Sequence, residues 1–106
     1  MPRTRRNDRM TSEHPIHQLR LYVAGDAQNS LEARANLREI CDKHLGGACE
    51  LEVVDVFVQP ERAMRDGIFM TPTLLKLSPG APRTVVGTLS DIQTVLQALE
   101  LPMQPS

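Results

Sequence analysis

A chain of 106 residues fits one domain with a single modest core, too short for two independently packed units. Hydrophobic residues make up 41% and charged residues 24%, and the formal net charge is −1, so neither a disordered nor a membrane class is indicated and there is no overall field for nucleic acid or anionic lipid. Tyr22, Phe57 and Phe69 are the only aromatic residues, which leaves the core to aliphatic side chains and removes the stacking platforms of single-strand nucleic-acid binders.

Arg3, Arg5, Arg6 and Arg9 crowd a stretch with almost no apolar content, and residues 1–17 are expected to form a solvated basic tail rather than a nucleic-acid arm. The tail lacks the apolar core of a signal peptide, and no apolar run approaches the roughly 18 to 20 residues that span a bilayer, so a cytoplasmic location is expected. An ordered domain is expected over residues 18–101. Leu19, Leu21 and Val23 alternate with Arg20 and Tyr22 as a first strand. After Gly25, Asn29 or Ser30 can cap a helix running to about His44, with Ala33, Leu37, Ile40, Cys41 and Leu45 on its buried stripe and Glu32, Arg34, Arg38, Glu39 and Lys43 in water. Gly46-Gly47 stops it.

The run 51–57 is apolar and β-branched enough to suggest a central strand, parallel to the first through a right-handed crossover. Pro60 opens a short helix that Gly67 ends. Residues 68–77 and 83–87 then read as a hairpin around the Pro79–Pro82 turn. A last helix is expected to be capped by Ser90 and to bury Ile92, Val95, Leu96 and Leu99, with residues 102–106 loose. The order βαβ, α, ββα predicts an α/β, thioredoxin-like single domain, a mixed sheet with helices on both faces.

Redox chemistry on that plan needs a cysteine pair at the amino end of the first long helix, where N–H groups and the helix dipole lower a thiol pKa. Asp26-Ala27-Gln28-Asn29-Ser30 stand there instead, so no thioredoxin-like enzyme is expected. Gly25 stands alone without the lysine of a phosphate loop, and no cofactor or metal is expected. Cys41 and Cys49 match neither a C-x-x-C nor a zinc spacing and are expected to be free thiols. His14, His17 and His44 are expected to be solvated, and Asp55 and Asp66 to serve in surface pairing rather than as a catalytic pair. The Thr71-Pro72 bond is of the one type for which a cis peptide is cheap, a bend that can pack against the start of the first helix.

Several segments together resemble the KaiB family over residues 18–101. Leu19-Arg20-Leu21-Tyr22-Val23-Ala24-Gly25 with Asn29-Ser30 is similar to its KLYVAG-x-x-x-NS opening, and Val53-Val54-Asp55-Val56 with Pro60 to its second strand and turn. Thr71-Pro72-Thr73-Leu74 with Lys76 resembles its TPTL-x-K strand, and Gly87-x-Leu89-Ser90 its GDLS segment. The resemblance implies a non-enzymatic protein that binds a KaiC-like hexameric ATPase, or alternatively a relative of the KaiB-like sensor domain of a histidine kinase. It also implies a second half able to adopt another, self-associating fold, so that the chain is a monomer or a homo-oligomer according to its state. Thr71, Pro72, Gly87, Ser90, Ala98 and Glu100 are the positions this switch implicates. Switching members carry glycine where this chain has Ala98, and alanine's better helix propensity predicts a thioredoxin-like resting state. A reduced hairpin turn and the missing acidic extension suggest a timer or stress role outside the cyanobacterial oscillator. Glu61, Arg62, Arg65 and Asp66, on the short helix and its flank, are the expected docking residues, with the exposed residues of the first helix as a lesser candidate, although Gly67 replaces the lysine common in the family.

Overall fold

A computed structural model describes residues 16–101, so the expected basic tail before residue 16, with His14, and the loose end at 102–106 lie outside the described residues. The elements are β1 (His17–Val23), α1 (Gln28–His44), β2 (Cys49–Asp55), α2 (Pro60–Arg65), β3 (Thr73–Ser78), β4 (Arg83–Val86) and α3 (Ile92–Ala98). They build one four-stranded mixed sheet in the order β2-β1-β3-β4. β1 and β2 are parallel, with Leu21 opposite Val53, and the β1–β3 and β3–β4 pairs are antiparallel.

Strand alternation divides β1 between two cores. Leu19, Leu21 and Val23 face α1 and α3, where they pack with Leu37, Ile40, Leu74 and Leu96 in the larger cluster. Tyr22 faces the other way into a smaller cluster with Val54 and Ala63 of α2. Helices therefore cover both faces of the sheet, in agreement with the βαβ, α, ββα reading.

β2 departs from the expected central strand. It is an edge strand that ends at Asp55, and Leu51 and Val53 are about two-fifths exposed. The Asp55 carboxylate explains the early end: Oδ1 accepts the backbone N–H of Phe57 at 2.9 Å and that of Gly25 at 3.2 Å, turning the chain out of the sheet. The strand expected from residue 68 likewise begins only at Thr73, because residues 68–72 bend around a cis Thr71–Pro72 bond.

Both expected helix caps are displaced. α1 starts at Gln28 with Ala27 at its cap, while Ser30 is buried and its Oγ accepts the Ala24 N–H at 3.0 Å, tying the strand end to the helix. α3 is capped by Asp91, whose Oδ1 accepts from Thr94 N–H, and Ser90 instead meets the Thr88 hydroxyl at 3.0 Å. His17 and His44 also correct the expectation of solvated imidazoles. His17 is buried on the α1 face of β1, His44 is half-buried, and each has a buried Nδ1 without a hydrogen-bond partner.

Ala98 is exposed in the last turn of α3, which Glu100 closes in the left-handed region at φ 57°, with the Leu101 N–H reaching back to the Leu96 carbonyl at 2.8 Å. Glu100 also pairs with Arg83 of β4. Because Ala98 touches little, A98G isolates backbone entropy and is expected to cost about 1 kcal/mol. Urea unfolding measures this; an unchanged midpoint would show that α3's propensity does not support the thioredoxin-like fold.

Candidate docking face

The face built on α2 has a polar floor and an apolar rim. The floor begins with sheet register: β1 places Arg20 beside Glu52 of β2, and α2 lies across them. Arg20 Nε donates to Glu52 Oε1 at 2.8 Å, its Nη1 donates to Asp66 Oδ2 at 3.0 Å, and Arg62 Nη1 donates to Glu52 Oε2 at 2.6 Å. The buried Tyr22 hydroxyl donates to Asp66 and lies 3.1 Å from the Arg62 carbonyl. Two of the four expected docking residues, Arg62 and Asp66, are thus held in a network that fastens α2 to the sheet. Glu61 and Arg65 are exposed.

Both carboxyls of the floor are held below their ordinary values. Hydrogen bonds from Arg62 and then Arg20 bring Glu52 to about 2, and the Tyr22 hydroxyl, ahead of Arg20, lowers Asp66. A carboxyl depressed by folding contributes stability that is present above its unfolded value, 4.5 for Glu52, and lost as pH falls through about 2. Thermal stability is therefore expected to decline across that acid window, and less steeply in E52Q. The difference should be modest, because the Glu52 side chain is 46% exposed and solvent screens it. Parallel melting curves of the two proteins against pH would contradict the assignment.

The rim was not legible as a site. Phe69 is 94% exposed, Met64 78%, Phe57 74%, Val58 71% and Met70 61%. Phe57, Phe69 and Met70 line one shallow groove of about 260 Å³ with Val56, Ile68 and Thr71. Phe69 and Met70 continue into a second groove of about 170 Å³ that reaches Thr84 and Val86 of β4. The shared groove makes the exposure of Phe57, Phe69 and Met70 contiguous, which makes this face a candidate interaction surface. Phe57 and Phe69 fall in the runs 51–57 and 68–77 that read as strands, and nothing in those runs distinguishes an uncovered ring from a packed one.

The bend between α2 and β3 holds the rim in place. Gly67 takes φ 70°, a left-handed conformation that disfavours a lysine there, and the Ile68 N–H returns to the Ala63 carbonyl at 2.8 Å. Pro72 is buried, Thr71 is half-buried, and the Pro72 carbonyl accepts the Gly87 N–H at 2.9 Å. Ser90, Ala98 and Glu100 lie on the α3 side of the molecule, away from this face, and are not brought together with α2.

No group of three or more His, Cys, Asp or Glu side chains among the described residues is placed to hold a metal ion, and none of the described helices is long and apolar enough to cross a membrane. The amino end of α1 carries no thiol.

Comparison with known proteins agrees with this architecture. The KaiB domain family matches residues 20–101. A circadian clock oscillator protein KaiB from Prochlorococcus marinus (strain MIT 9312) is 46% identical over 83 residues, covering 78% of this chain and 79% of that protein. Among solved structures, the amino-terminal domain of Synechococcus elongatus SasA superposes with a TM-score of 0.63 at 22% identity, covering 77% of this chain and 78% of that one. Fasciola hepatica thioredoxin superposes with a TM-score of 0.63 at 14% identity, over 87% and 90% of the two chains. At these identities the two structures speak for the thioredoxin-like fold alone.

Proposed function

The chain belongs to the KaiB family, and from that premise we propose that it is a non-enzymatic regulatory module that docks on a KaiC-like hexameric ring ATPase in a clock, timer or stress-signalling circuit. The observation that carries the reading is the exposed rim of Phe57, Met64, Phe69 and Met70 around α2. A rim of this kind supplies the apolar centre of an interface, where most binding free energy concentrates. Glu61 and Arg65 beside it supply a charged margin of both signs, suited to orienting the encounter more than to holding the complex. The thioredoxin-like fold presents this face, so a chain that rests in that fold docks without a prior change of fold.

Sedimentation of the chain with a KaiC-like hexamer, and separately with the KaiB-like sensor domain of a histidine kinase and the kinase's own partner, tests the proposal. Saturable co-sedimentation with the hexamer is the expected result. Failure to join the hexamer, with competition against the sensor domain for a different partner, would move the chain to the kinase branch.

A further inference from the structure

Cys41 and Cys49 are separated by a tight turn that sets both against the larger core cluster. Cys41 lies on the inner side of the last turn of α1, 4% exposed within the larger core, and Cys49 opens β2 and packs against the same cluster while still partly exposed. Between them Gly46 and Gly47 both take left-handed φ values, 60° and 79°. The turn is closed by hydrogen bonds from Gly47 N–H to the Cys41 carbonyl at 2.8 Å and from Ala48 N–H to the Leu45 carbonyl at 2.9 Å. On its far side the His17 N–H anchors the Ala48 carbonyl at 2.9 Å, so the strand start is fixed relative to the helix end. The neighbouring Cys49 lowers Cys41, while Cys41 and burial together raise Cys49.

We propose that Cys41 and Cys49 form a redox-modification site, closing a reversible intramolecular disulfide when the chain meets a hydroperoxide. The Cys41 thiolate attacks the peroxide; the O–O bond breaks, the departing oxygen takes up the proton that Cys41 released, and an alcohol or water leaves. The Cys49 sulfur then attacks the resulting sulfenic sulfur, the S–O bond breaks, and the hydroxide leaves with the Cys49 proton as water. Two thiols are oxidised by two electrons and one peroxide is reduced. The second cysteine across the turn is what selects this outcome, because a sulfenic acid beside a resolving thiol condenses before it is oxidised further. The partial exposure of Cys49 admits a small oxidant, while the burial of Cys41 disfavours disulfides between chains.

The site is separate from the docking face. β2 runs from Cys49 to Asp55, and the rim begins at the far end of that strand, about 20 Å away at some 3.3 Å per residue. Oxidation is therefore expected to leave docking intact and to stiffen the α1–β2 turn, raising the melting temperature because the cross-link restricts the unfolded chain.

The test uses the full chain treated with hydrogen peroxide, then N-ethylmaleimide, followed by intact mass and tryptic mapping. Trypsin cuts after Arg38, Lys43 and Arg62, so Cys41 and Cys49 fall in the separate peptides 39–43 and 44–62. The expected product is a monomer lighter by two hydrogens, unreactive to maleimide, in which these peptides are joined and come apart with dithiothreitol. It should melt higher than the reduced chain, and C41S and C49S should each fail to give it. Two alkylated cysteines, added oxygens on either sulfur without a joined peptide, or only disulfide-linked dimers would each overturn the proposal.

Discussion

Replacing Phe69 with aspartate is expected to weaken binding to a KaiC-like hexamer by at least about thirtyfold, while thermal unfolding of the free chain stays where it is. Phe69 is 94% exposed, so the folded chain loses almost no packing when the ring is removed. In a complex the same ring would sit at the centre of the apolar rim, where truncating one anchoring aromatic typically costs 2 kcal/mol or more, a factor of about thirty in Kd. Aspartate adds the cost of burying a carboxylate without a partner. Phe57, whose ring stands 3.5 Å from the position a Cβ would occupy on Gly25, should behave similarly on F57A. R65A offers the contrast: a charged margin residue is expected to change affinity less than tenfold and mainly through a salt-dependent association rate. Titration by fluorescence anisotropy distinguishes these outcomes, and wild-type affinity in F69D would remove the rim from the interface.

The largest stability effect is expected from L74A. Leu74 is fully buried in β3, opposite Leu21 of β1, in the core that α1 and α3 cover. Deleting a buried leucine side chain costs roughly 2–5 kcal/mol, the transfer term plus the cavity left behind. Against a total of about 5–15 kcal/mol for a domain of this kind, that is a substantial part of the stability. Urea unfolding should show a lower midpoint with an unchanged slope. A shift of under 1 kcal/mol would mean that β3 is not held between β1 and the helices as described. L31A on the outer side of α1, where Leu31 is 44% exposed, should shift the midpoint little.

The local signals of the fold were legible where one period dominated. Leu19, Leu21 and Val23 alternate into the core, and Glu32, Arg34, Arg38, Glu39 and Lys43 are exposed along α1 as their spacing requires. What periodicity does not encode is the neighbour of each element. The run 51–57 is apolar enough for a central strand, yet β1 takes β3 on its other side and leaves β2 at the edge. Tyr22 alternates with the core leucines and so reads as outward, but α2 builds a second core around it. Ser30 and Ser90 have the chemistry of helix caps; a backbone partner at Ala24 took the first, and Asp91 stands one residue closer to the helix than the second.

The candidate site divides in the same way. The short helix was identifiable from Pro60 and Gly67, and its charged residues from composition. That Arg62 and Asp66 would be drawn inward depends on Arg20, Tyr22 and Glu52, which reach them only through the β1–β2 register. The apolar rim depends on Phe57 and Phe69 being left uncovered, and exposure of this kind is a property of the assembled fold.

The most direct measurement is an NMR footprint: amide spectra of the isotope-labelled chain, free and with a KaiC-like hexamer added. The account predicts α3 signals helical in the free chain and, on addition of the hexamer, losses concentrated in residues 56–71. Losses centred on the outer side of α1, or a spectrum unchanged by saturating hexamer, would contradict it.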